Sequence, residues 1–234
     1  GANSVANNTV LGESALDAAV SGGSNTAVGK ESLGNNTSGA NNTGVGFQSI
    51  FDNTTGSQNT AVGVQALANN TTASNNTGIG FGALFLNTTG TANTAVGASA
   101  LDANTTASHN TAVGQNSLTA NTTGGANTAV GSASMSSTTS GSDNVAFGTT
   151  ALGDNTNGSS NTAIGRSALE NNTSASNNTA VGRNTLITNT SGATNTAIGA
   201  YALNSNTSSS NNTGIGFLAL GENTTGTANV AVGA

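Results

Sequence analysis

Large apolar residues recur along this chain at two fixed phases of a 17-residue period. One phase runs Leu11, Val28, Val45, Val62, Ile79 and on through Phe147 to Val232; the other runs Leu16, Leu33, Ile50 and on through Met135 to Leu220. The word that carries the first phase, Asn25-Thr26-Ala27-Val28-Gly29, returns with few changes at fourteen places from Asn8 to Asn229, without an insertion or deletion. A period held this way means one small unit stacked on copies of itself, each burying its apolar side against its neighbours.

Numbering the unit from its recurring Asn gives the idealised repeat N-T-A-V-G-x-x-A-L-x-x-N-T-T-G-x-x. The pieces between its glycines are too short for helices, so the unit is read as β. Asn-Thr-Ala-Val alternates, with Thr and the large apolar residue on one face and the small residue on the other, and x-x-Ala-Leu is expected to form a second short strand. Positions 4 and 9, the two apolar phases, are expected to be the core. Position 5 is Gly in every copy from Gly12 to Gly233, as a corner needs where φ is positive or a second backbone comes close. Position 15, mostly Gly with Ala or Ser substitutes, marks a second corner.

The predicted fold is therefore all-β: a single domain over residues 1–234, a parallel β-solenoid or β-roll of about thirteen 17-residue coils. With coils about 4.8 Å apart it would be a rod on the order of 60 Å long. Stacking sets like residues in line. Asn25, Asn42, Asn59, Asn76, Asn93 and Asn110 are expected to form a structural ladder, with amides bonding the copies above and below. Positions 12 to 14, usually Asn-Thr-Thr or Asn-Thr-Ser, suit a turn, and their leading Asn is replaced only at Ala19 and Thr138.

One pair of positions varies together. Position 3 is Gly at Gly44, Gly78 and Gly214, and those same copies carry Phe47, Phe81 and Phe217 at position 6, as if losing a methyl made room for a ring. Phe51 and Phe85 follow at position 10 in two of them, so Phe47, Phe51, Phe81 and Phe85 are a candidate surface-binding patch, the plainer reading being that they fill a packing seam.

Composition narrows the function. Only 5% of the residues are charged, the net charge is −6 and three side chains are basic, a poor footprint for nucleic acid. Without cysteine there is no thiolate site and no disulfide framework. No apolar run approaches the roughly 18 residues of a membrane span, so no membrane insertion is expected. Nor is this a disordered tract, since disorder does not keep large apolar residues in phase.

Reactive constellations are equally sparse, and no catalytic, cofactor or metal site is expected. The single histidine, His109, has no second His or Cys for a metal set. Carboxylates such as Glu13, Asp17, Asp102, Asp143 and Glu170 fall on variable positions with no repeated acid and base pair. Arg166 and Arg183 occupy position 6 of adjacent coils. They are expected to form a solvated face relieved by Glu170, the alternative being a small anion site. Asn-x-Thr/Ser sequons are dense, as at Asn53, Asn70, Asn87 and Asn104, but glycans on every rung would collide, so only sparse modification is expected.

The Asn-Thr-Ala-Val-Gly word followed by Ala-Leu resembles the head repeats of trimeric autotransporter adhesins and the β-roll repeats of phage tail fibres, over essentially the whole chain. The resemblance implies a left-handed parallel β-roll, a homotrimer, an extracellular, cell-surface or virion-fibre location, and a body that binds a cell-surface protein or glycan. The adhesin word has an apolar residue where position 2 here is Thr, which Val145 and Val230 restore, and the unit here is longer by an Asn-Thr-Thr-Gly turn. Gly1-Ala2 and Ala234, lacking polar caps, are read as the ends of a piece of a longer fibre.

The leading expectation is a non-enzymatic fibre or adhesin segment. One alternative is an ice-binding β-solenoid, since files of Thr at β spacing can order water, although adjacent turn threonines such as Thr54 and Thr55 should face opposite ways. Another is a self-stacking surface or sheath filament.

Overall fold

The computed structural model describes residues 7–18 and 20–233, so that Gly1-Ala2, Ala19 and Ala234 lie outside the described residues. The chain is all-β, a parallel β-solenoid of about thirteen 17-residue coils with its strands in sequence order. The coils fall into two compact units that divide between Gln115 and Asn116. The first holds β1 (Thr9–Leu11) to β7 (Thr111–Val113), the second β8 (Thr128–Val130) to β14 (Val230–Val232). No helix occurs among the described residues.

Each strand is three residues long, positions 2 to 4, and pairs in parallel with the same positions of its neighbour. In the first unit Thr43, Gly44 and Val45 lie against Thr60, Ala61 and Val62. In the second, Thr179, Ala180 and Val181 lie against Thr196, Ala197 and Ile198. The alternation works as the sequence implies, and its direction corrects one expectation. Ala61 and its equivalents at position 3 are buried in every strand but the first and the last, whereas position 4 faces outward, with Val62 38% exposed and Phe147 44%. The core is instead Leu at position 9, Ala at positions 3 and 8, and the asparagines at positions 1 and 12; Leu33, Leu67, Leu101, Leu152 and Leu186 have no exposed surface. A three-residue strand sends one side chain inward, and in so thin a coil that place goes to the smallest one.

The second predicted strand does not form. Positions 6 to 11 are a run of turns in which positions 7 and 9 take positive φ, as at Gln65 (57°) and Leu67 (54°), and position 17 does the same, as at Asn75 (63°). Left-handed backbone is uncommon for Leu and costly for the β-branched Ile50 and Thr150. Its use lies in the hydrogen bonds. Gln65 N–H donates to Phe47 O one coil back at 2.9 Å, and Leu67 N–H donates to Ala83 O one coil on at 2.9 Å. The left-handed residues thus aim their N–H groups along the stack in opposite senses, where a pleated strand would need more residues to do so.

The position 5 corner is as tight as its glycines imply. Gly29 has φ 125°, and a Cβ built on it would stand 2.6 Å from the carbonyl oxygen of Gly46 in the next coil. Both the conformation and the close approach exclude a side chain. The proposed exchange between positions 3 and 6, however, is not a contact. A Cβ on Gly78 would meet Ala83 O at 3.1 Å and Leu67 Cγ at 3.3 Å inside the coil, while Phe81 lies outside, 61% exposed. Nothing in the structure explains why these positions vary together.

Candidate functional site

Asparagine organises the interior, and that decides what is left for the surface. Asn59 donates its backbone N–H to Asn42 Oδ1 at 2.9 Å, and Asn42 Nδ2 donates to Gly56 O at 2.8 Å within its own coil. From the far side of the coil Asn53 Nδ2 reaches the same Gly56 oxygen at 2.9 Å and also Asn36 Oδ1 at 2.7 Å. Position 15 is therefore an acceptor hub on which both asparagine files converge. The second unit repeats the pattern, with Asn195 and Asn206 donating to Ser209 O at 2.9 and 3.0 Å.

The file from Asn25 to Asn110 is buried throughout and bonded backbone to side chain from copy to copy. In the first unit the amide-to-amide ladder runs along position 12, which the sequence marks as a turn; in the second, position 1 adds such bonds, as from Asn161 Nδ2 to Asn144 Oδ1 at 3.1 Å. Asn53, Asn70, Asn87 and Asn104 have no exposed surface, so these sequons do not present an amide for glycosylation in the folded chain.

Three kinds of surface remain. The outer face of the strands carries only positions 2 and 4: a file of mostly half-buried Thr, replaced at Val145 and Val230, beside a file of Val, Ile, Phe or, at Leu11, Leu, without a charge in either unit. The hydroxyls of Thr43, Thr60, Thr77, Thr179 and Thr196 make no hydrogen bond among the described residues. The turn threonines differ: Thr54 Oγ1 donates to Thr71 O at 3.0 Å and Thr71 Oγ1 to Thr88 O at 3.1 Å, which leaves position 14 as the exposed file there.

The third surface is the corner at positions 6 and 7, where the sequence varies most. In the first unit Phe47, Val64 and Phe81 are exposed on three successive coils, joined by Gln65 N–H to Phe47 O at 2.9 Å and Gly82 N–H to Val64 O at 3.1 Å. Phe51 and Phe85, half-buried, lie at position 10 with the buried Ala68 in the coil between them. The four candidate phenylalanines thus belong to two files, and Val64, which the sequence reading passed over, joins the outer one.

In the second unit the same corner carries Arg166, Arg183, Tyr201 and Phe217. The Arg183 guanidinium lies 5.9 Å from the centroid of the Tyr201 ring, and Tyr201 meets Phe217 edge to face, with centroids 6.3 Å apart and planes at 84°. The expected relief by Glu170 is absent: among the described residues the one ion pair joins Lys30 Nζ to Glu13 Oε2 at 3.3 Å, in the other unit. Tyr201 escaped the sequence reading because it sits at position 7 and its partners at position 6; only the reach between coils brings them together.

His109, at position 17, is exposed with φ 63°. Among the described residues no three His, Cys, Asp or Glu gather as a metal set, and no helix is long and apolar enough to cross a membrane. No family model, curated protein or solved structure matches the chain.

Proposed function

We propose that this chain is a segment of a non-enzymatic extracellular fibre or adhesin, in which three copies pack their strand faces together and the remaining surface meets cells or other ligands. The observation that carries this reading is the outer face of the strands. It is in register, free of charge, and half apolar along every coil of each unit. Contiguous apolar faces of this kind mark association surfaces, and β-branched Thr, Val and Ile at the usual strand spacing of about 4.8 Å interdigitate well with a like face. A trimer is the closed assembly implied by the resemblance to adhesin heads and tail fibres, as is a left-handed winding. Location at a cell surface or on a virion follows from the same reading.

Light scattering coupled to size exclusion tests it. A solution mass three times the 22.3 kDa chain is expected, and a monomeric mass at micromolar concentration overturns the trimer. A second reading, ice binding, has one observation in its favour: the strand threonines keep their hydroxyls unbonded beside a methyl file, whereas the turn threonines spend theirs on the stack. The two readings compete for one face, since a trimer would bury it. Thermal hysteresis separates them: a clear value from a monomeric chain would replace the fibre reading.

A further inference from the structure

We propose that the second unit's corner at Arg166, Arg183, Tyr201 and Phe217 binds a saccharide bearing a carboxylate. The charge argument comes first. Two of the chain's three basic side chains stand at position 6 of successive coils, held in register by Asn184 N–H to Arg166 O and Tyr201 N–H to Arg183 O, each 3.0 Å. Neither guanidinium has a carboxylate within ion-pairing distance among the described residues, in contrast to Lys30, which Glu13 neutralises. In a chain of net charge −6 this leaves a local cationic spot whose planar forks match a carboxylate in bidentate fashion. Two cations are too few for a polyphosphate backbone, whose binding draws on many released counterions.

The neighbouring rings decide what carries the carboxylate. Arg183 is already stacked on Tyr201, which restrains the guanidinium before any ligand arrives. The T-shaped contact with Phe217 fixes the tyrosine in turn and sets a second, exposed ring one coil further on. A bare inorganic anion has no use for these surfaces. A pyranose ring does: its C–H face lies on an aromatic edge or face while its hydroxyls reach the Tyr201 hydroxyl, which makes no hydrogen bond among the described residues. The inference names a ligand class for the adhesive reading but does not depend on trimerisation, because the corner lies beyond the Gly turn from the strand face.

The test is calorimetric titration of the full 234-residue chain with sialyllactose and with a hyaluronan tetrasaccharide, using lactose and sodium acetate as the neutral sugar and the bare carboxylate. At least one acidic saccharide is expected to bind more tightly than lactose and acetate. Arg183→Gln and Tyr201→Ala should each weaken that binding about tenfold, with the melting temperature unchanged, while Lys30→Gln leaves it as it was. Equal binding of lactose, equal binding of acetate, no heat from either acidic sugar, or full affinity in both corner variants would overturn the proposal. A monomer that binds sialyllactose would sink the trimer and leave this site standing; a trimer that binds neither acidic sugar would do the reverse.

Discussion

Two files of side chains run along each unit at the same rise per coil and obey opposite rules. Inside, position 12 is asparagine at Asn36, Asn53, Asn70, Asn87 and Asn104, and from Asn53 on each amide serves the coil before it and the corner carbonyl of its own. Outside, position 6 is Lys30, Phe47, Val64, Phe81 and Ala98 in the same coils. Stacking multiplies whatever a position does. An inward polar group has to find partners rung after rung, and a side chain with two donors and an acceptor does this best. An outward group meets solvent and its own neighbours in file, so it is free to change.

Breaking the inner file should have the largest effect. Asn70→Ala removes the bonds from Asn70 Nδ2 to Asn53 Oδ1 at 2.9 Å and to Ala73 O at 3.0 Å, and strips Asn87 Nδ2 of one of its two acceptors, at 3.1 Å. A loss on the order of 3 kcal/mol is expected in urea unfolding, because buried partners are left unmade rather than merely weakened. A loss below about 0.5 kcal/mol would mean that the amide ladder is incidental to the stack.

The opposite change is available in the second unit. Thr138 stands where the file has Asn, and Asn155 Nδ2 reaches its Oγ1 only at 3.5 Å, against 3.0 Å for Asn172 Nδ2 on Asn155 Oδ1 one coil on. Thr138→Asn supplies a better acceptor for Asn155 and a donor for the Gly141 carbonyl, and should stabilise by about 1 kcal/mol. A lower melting temperature in that variant would show that the coil has settled around threonine. Smallest of all, Phe81→Ala at the outer corner should shift stability by no more than about 0.5 kcal/mol, read in the same urea series. A larger loss would place that ring in a packed contact.

Much of this architecture was legible in the sequence, because period and alternation report geometry directly. The unbroken spacing of the Asn-Thr-Ala-Val-Gly word gave the coil length, and Gly at position 5 marked a corner that a Cβ would obstruct. The errors share one cause. Hydrophobicity placed both Val62 and Leu67 in the core, but a coil this thin has room for one of them, and side-chain direction there is set by backbone conformations that leave no compositional mark. Leu67 at φ 54° looks in sequence like any core leucine. The aromatic patch and the Arg183 contact on Tyr201 were only half visible for a related reason: neighbours in a stack sit 17 residues apart give or take one, and a column-by-column reading loses those that lean across columns.

The asparagines have a thermal consequence too. Unfolding one of these coils would wet buried amide as well as hydrocarbon, and the two kinds of surface pull the heat capacity in opposite directions. The increment should fall below that of a domain with an oily centre, and a small increment flattens the dependence of stability on temperature. Such a stack loses less of its strength on cooling than a hydrocarbon core does.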